Sequence, residues 1–245
     1  MALLVDGDVS LIENLKAFDS GVLEVANGEG IDLHAKLRVG QLEVEADVER
    51  FLHWEDRGSL EQVQVNAALN RWHTLKTLEA VYRDAYFSQL NDRYGERWRA
   101  YEKMAATQER RYFDGGVAVV SRPVRRPEKI TMEVTDGLNE PGTYWVQATL
   151  IDASGQESAP GPVEVVSSPL PHTLTVRLPY VREGVTGWNL FVGMQEDEAG
   201  LQNATPLGVN EVWTMPEGGI VAGRPPGTGQ SADSVIYRSG RFRRG

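Results

Sequence analysis

The stretch of this chain that most invites a chemical reading is RPPGTGQS at residues 224–231. Loops of the form GPPGTGKS cradle phosphate with backbone N–H groups, while the lysine reaches the outer phosphates. Here Arg224 replaces the first glycine and Gln230 replaces the lysine. The loop also needs a strand before it and a helix after it inside a large α/β sheet, and only fourteen residues follow Ser231. The stretch reads as a flexible segment. Other candidates fare no better. Asp6, Asp8 and Ser10 imitate the opening of a calcium loop, but Leu11 stands where the glycine belongs and Ala17 where the closing glutamate belongs. His34, His53, His73 and His172 show no metal-ligand spacing. Ser167 and Ser168 lie in SSPLP, outside any GxSxG frame. The expectation is a protein that is not an enzyme, with no catalytic, cofactor-binding or metal-binding residues.

Composition points the same way. The 245 residues are 41% hydrophobic and 24% charged, ordinary for a soluble globular protein, and long enough for one large domain or two modest ones. Cysteine is absent, which excludes disulfides and thiolate metal sites. MALLVDGDVSLIENL lacks the basic flank and long apolar run of a signal peptide, and no stretch approaches a membrane span. The chain is expected to stay in a cytoplasm-like compartment or to leave it inside a larger assembly. The net charge of −10 is unevenly spread. Residues 1–65 hold 14 acids against 5 bases, whereas residues 224–245 hold Arg224, Arg238, Arg241, Arg243 and Arg244 against Asp233 alone. An acidic body with a basic tail predicts an acidic partner for the tail.

The elements that would position such a surface begin with residues 60–113, which contain no proline and one glycine, Gly95. Val65, Leu69, Trp72, Leu75, Leu78, Tyr82, Tyr86 and Leu90 fall three or four apart and form one apolar helical stripe. Tyr94, Trp98, Tyr101, Ala105 and Tyr112 form a second, after Asn91 and Asp92. The spacing predicts two helices, or one kinked near Gly95, with their aromatics packed between antiparallel helices. Some aromatics could instead face a neighbouring subunit. Upstream, 8–20 reads as a short helix with a Ser10–Glu13 capping box, closed by Gly21. NGEG at 27–30 reads as a loop, and 31–54 as a helix that Gly40 could break. Residues 1–113 are thus expected to be an all-α unit with long helices.

Residues 114–127, GG followed by a proline-bearing basic run, are taken as a linker. From 128 to 216 the period falls to two. EKITMEVTD, TYWVQATLID, PVEVVSS, HTLTVRLP, TGWNLFVG and EVWTM alternate with turn signals. Six or seven short antiparallel strands fit a small β-sandwich, fibronectin type III-like because the antibody-type disulfide is impossible. The fold class is therefore α+β in separate domains. Residues 217–245 have too few apolar residues for a core and read as an extended basic C-terminal arm that orders on a partner. Within it, SVIYR could add as a strand to another sheet. The arm's candidate partner-binding residues are Val235, Ile236, Tyr237, Arg238, Arg241, Phe242, Arg243 and Arg244.

Two stretches carry a resemblance. The run from Val65 to Val124, with tyrosine-rich paired helices, the Tyr94–Tyr101 spacing, Gly115–Gly116 and a proline-containing exit, resembles the long-helix region of head-to-tail adaptor (head-completion) proteins of tailed bacteriophages. Residues 186–216, with Trp188, Asn189, Phe191, Val192, Gln202, Asn203, Trp213 and Thr214, are similar to fibronectin-like modules of phage virion proteins. The resemblance implies a structural protein of the virion neck, assembled in the host cytoplasm. It implies a homo-oligomeric ring, commonly of twelve copies, that meets the portal protein on one side and a downstream neck or tail-completion protein on the other. Phage DNA would pass through the ring without sequence-specific binding, and no membrane would be involved. The added sandwich departs from the usual adaptor. A carbohydrate- or surface-binding module is the alternative, with Trp145, Trp188 or Trp213 as sugar platforms; a neck or tail decoration protein is another.

Overall fold

The computed structural model describes residues 2–7, 9–89, 92–195 and 197–239. The chain divides into two compact units, one built on residues 3–121 with the segment from 232 onward, the other on residues 122–231. The first is mainly helical and the second is built of antiparallel strands, so the fold is α+β. Among the described residues no helix is long and apolar enough to cross a membrane.

The helical unit contains α1 (Ile12–Phe18), α2 (Val22–Glu29), α3 (Leu33–Glu55), α4 (Ala67–Gln89) and α5 (Gly95–Gly115). The first helix is shorter than 8–20 and lacks the expected capping box. Asn14 Oδ1 accepts from the Leu11 N–H at 2.7 Å, while the Ser10 hydroxyl lies 2.6 Å from His73 Nδ1. The NGEG loop is instead the last turn of α2, because Val22, Val25 and Ala26 all bury against the core. Gly30, at φ +68°, closes that helix in the left-handed conformation.

The third helix runs unbroken through Gly40. Asp32 caps it, accepting from the N–H groups of His34 and Ala35. A Cβ on Gly40 would sit 2.7 Å from Thr77 Oγ1, so the glycine permits close packing of α3 on α4. Leu69, Trp72, Leu75, Leu78, Val81 and Tyr82 of α4 are all buried, and α4 packs on α1, α2, α3 and α5. A helix apolar on most sides belongs in the middle of a bundle. Two hydrophobic clusters result. One gathers Phe51, Trp72, Tyr112 and Phe113, and the other gathers Leu15, Leu37, Leu78, Tyr82 and Tyr94. The break between α4 and α5 falls where the residue pattern places it, with a 3-10 turn at Asp92–Tyr94 and α5 starting at Gly95. Of the first predicted stripe, Leu90 lies outside the described residues.

The expected linker is partly structured. Residues 114–115 finish α5, and β1 (Val117–Val119) buries Val117 and Val119 in the helical core. Its partner is β10 (Ser234–Ile236), antiparallel, with Val117 opposite Ile236 and Val119 opposite Ser234.

In the second unit, β2 (Thr131–Asn139), β5 (His172–Arg177) and β9 (Trp213–Thr214) form a sheet in the order β2-β5-β9. A second sheet has the order β4-β3-β6-β7, from β3 (Gly142–Asp152), β4 (Glu164–Ser168), β6 (Val185–Gly193) and β7 (Gly200–Leu201). The two-residue β8 (Leu207–Gly208) also pairs with β6. Alternation sends Tyr144, Val146, Ala148 and Leu150 of β3 and Trp188, Leu190 and Val192 of β6 inward. They meet Leu174, Val176, Trp213 and Met215 in one core. Trp188 is fully buried and Trp213 nearly so, which takes both out of contention as sugar platforms. The short strands β1, β7 and β8 were not legible in the residue pattern, since two or three residues carry no period; SVIYR does supply a strand, β10, which pairs with β1 of its own chain.

Candidate interaction sites

The tail needs the largest correction. It was expected to be one arm from 217 to 245, ordered by a partner. Residues 217–231 instead belong to the β unit, and residues 232–239 belong to the helical unit. The physical reason is hydrogen bonding to backbone, which an apolar count overlooks. Gln202 binds Val221 at both backbone groups, 2.8 and 2.9 Å, and the Leu201 N–H donates to the Arg224 carbonyl at 2.9 Å. Arg224 Nη2 donates to both carboxylate oxygens of Glu157, at 2.8 and 3.1 Å, and the guanidinium lies over the Phe191 ring at 5.3 Å. Glu157 also accepts from Thr149 Oγ1 and Asn189 Nδ2. Burial pushes the Glu157 carboxyl up, but these donors and the Arg224 charge outweigh it and hold it below the usual glutamate value. Gln230 is buried; its amide oxygen accepts from the Val124 N–H at 2.6 Å and its amide nitrogen donates to the Arg122 carbonyl at 3.0 Å. RPPGTGQS is thus a strap over the β4-β3-β6-β7 sheet, with no helix after it among the described residues. Arg224→Ala is expected to leave the sheets intact at a cost of about 1 kcal/mol, the scale of a partly exposed ion pair. Hydrogen exchange should then quicken at Leu201 and Val221 while Leu190 stays protected.

The expected partner-binding residues separate into three groups. Ile236 is buried among Leu52, Val63, Phe113, Val117 and Val119, and its Cδ1 lies 2.9 Å from where a Gly58 Cβ would be. It is an anchor within its own chain. Val235 and Tyr237 are 42% and 63% exposed, above Gly116, where φ is +87° and a Cβ would meet Val235 Cγ1 at 2.5 Å. Arg238 reaches Asp114 at 4.0 Å and is mostly exposed. Arg241, Phe242, Arg243 and Arg244 lie outside the described residues. Just before the strand, Asp233 accepts from the Ser121 N–H and hydroxyl, which register β10 on β1. These bonds hold its carboxyl below the usual value.

Residue types alone did not expose a second polar centre, at Asp19. Its Oδ2 accepts from the hydroxyls of Tyr82 at 2.6 Å and Tyr101 at 2.9 Å, and its Oδ1 accepts from the Gly21 N–H at 2.9 Å. Arg97 donates to the Tyr82 oxygen at 2.9 Å and lies 3.7 Å from the carboxylate. The Tyr82 and Tyr101 rings stack at 5.3 Å. The α1–α2 corner is thereby pinned to α4 and α5. Burial raises the Asp19 carboxyl, but the two phenols, the Gly21 N–H and the Arg97 charge prevail and leave it below the ordinary value. Burial, then the bond to Asp19, pushes the Tyr82 phenol up to about 12, and Tyr101 rises for the same reasons.

Beside this pin lies a cleft of about 510 Å³, with Glu24, Glu29, Arg93, Tyr94 and Arg97 in its walls. Tyr94 donates to Glu29 at 3.1 Å, and the mixed charges make no nucleophile–base pair. Among the described residues, no group of three or more His, Asp or Glu could hold a metal ion. No known protein family matches this chain, and a search of curated proteins finds no relative.

Proposed function

We propose that this chain is a structural protein of a tailed-phage virion, a head-to-tail connector adaptor that forms a ring below the portal through which DNA passes. The observation that supports the reading is the α4–α5 hairpin. The residues that carry the adaptor resemblance fold together as two long aromatic-packed helices, and the Gly115–Gly116 exit leads directly into β1. Beside β1, the C-terminal strand offers Val235, Tyr237 and Arg238 outward. In this reading those three residues, with Arg241, Phe242, Arg243 and Arg244 beyond them, dock on the portal or a neighbouring subunit. The acidic N-terminal residues repel DNA phosphate and let it slide. The β unit is a fibronectin type III-like module facing outward, to which a downstream neck protein attaches. If β3 is strand C of such a module, the order β4-β3-β6-β7 reads C′-C-F-G. The sugar-binding alternative loses force because two of its three tryptophans are core residues.

Removing residues 224–245 is a poor test, because it strips Ile236 from the helical core and Gln230 from the β unit. The better variant is Tyr237→Ala with Arg238→Glu, both at exposed positions. It should fold as the parent does and fail to co-sediment with portal-bearing heads. Co-sedimentation at the parent level would contradict docking by this segment.

A further inference from the structure

The helical unit carries two helix faces that are largely exposed, with Ala35 alone of their residues half-buried. On α3, Ala35, Val39, Leu42 and Ala46 recur at steps of four, three and four, on the side opposite Leu37, Val44 and Val48. Val39 and Leu42 are 38% and 65% exposed, and Ala46 is exposed as well. Glu45 and Glu49 flank this apolar seam; Glu45 accepts only a neutral amide bond from Gln41 among the described contacts, so its charge stays uncompensated. Arg38 shares the flank, and its charge acts on Asp32. On α5, Arg99, Lys103, Ala106 and Arg110 recur at the same steps, opposite the packed stripe of Trp98, Tyr101, Ala105 and Tyr112. All four are exposed; the Arg110 charge acts on its neighbour Glu109, while Arg99 and Lys103 form no ion pair with an acid among the described residues.

We infer that the outer ridge of α5 in one copy lies along the outer seam of α3 in a second copy, an inference that rests on the ring reading above. The aliphatic stems of Arg99, Lys103 and Arg110 are long enough to cover the apolar seam while their heads reach Glu45 and Glu49. Ala106 leaves room for Leu42 in the middle of the ridge. The two faces belong to different helices, so the contact is head-to-tail. Such a contact repeats from copy to copy and closes into a ring when its rotation permits. Pairing the α3 seam with itself would close after two copies and leave Arg99 and Lys103 of α5 without an acidic partner.

The absence of cysteine makes the test free of background. Leu42→Cys and Ala106→Cys are introduced at exposed positions of the full chain, separately and together, and the protein is mildly oxidised. The double variant should give a ladder of disulfide-linked dimers, trimers and larger species, and a mixture of the two single variants should give dimers only. Lys103→Glu should cut the ladder about fivefold, and Glu45→Lys in the same chain should restore it, as expected for complementary charges. Dimers from Leu42→Cys alone would identify a two-fold contact and overturn the inference. Closed rings seen by electron microscopy without any ladder would overturn the pairing and leave the ring reading standing; no rings and no ladder would remove both. Loss of salt-sensitive DNA retention in Lys103→Glu, with no ladder in its parent, would mean that the α5 ridge faces nucleic acid, which also overturns it.

Discussion

Trp72→Ala is expected to remove roughly 3–5 kcal/mol of stability, the scale for truncating a fully buried aromatic. Trp72 has no exposed surface, and its ring lies 5.6 Å from Tyr112 and 5.5 Å from Phe113. Phe113 in turn stacks on Phe51 at 4.8 Å, so this one side chain joins α3, α4 and α5. Alanine would leave a void too large for neighbouring helices to fill, because α4 is already held from other sides. Trp72→Phe makes the useful control. The indole Nε1 has no hydrogen-bond partner among the described residues, so phenylalanine deletes that donor along with part of the ring. Its cost should stay below about 1.5 kcal/mol. Denaturant unfolding followed by helical circular dichroism reads both. Equal losses for the two variants would contradict the packing account.

Asp19→Ala should cost on the order of 2–4 kcal/mol, because it strips the acceptor from two tyrosine hydroxyls and the counter-charge from Arg97. Tyr101→Phe removes one donor and leaves the carboxylate served by Tyr82 and Gly21, so it should cost about 1 kcal/mol. The pin also sets a pH window. The folded Asp19 carboxyl is depressed, so its contribution is present above the ordinary carboxylate range and lost as pH falls through the folded value. The Tyr82 phenol is raised to about 12, so its contribution is full below the ordinary phenol value of 10.0 and lost as pH climbs towards 12. The parent should therefore lose stability at both extremes, and Asp19→Ala should show flatter flanks. Parallel curves for the two proteins would refute the role given to Asp19.

Much of the helical unit was legible because long amphipathic stripes repeat over many turns. The break near Gly95 and the inward stripe of Tyr94, Trp98, Tyr101, Ala105 and Tyr112 follow from spacing alone. Gly40 misled because its propensity cost is local, whereas its use is to admit Thr77 of another helix. Ser10 misled because a capping motif and a tertiary bond to His73 compete for the same hydroxyl. The polar centre at Asp19 escaped notice because its donors come from residues 63 and 82 positions away, a separation that no periodicity encodes. The tail was the hardest case. A Gly- and Pro-rich segment looks unstructured by composition, yet backbone bonds through Gln202 and Gln230, the Arg224–Glu157 pair and the apolar anchors Ile220 and Ile236 order it.

The most direct test of the connector reading is gold labelling of purified virus particles with an antibody to residues 128–216. The account predicts label at a single vertex, between head and tail, with the β unit accessible. Label along the tail or on fibres, or particles that lack the protein by mass spectrometry, would contradict it.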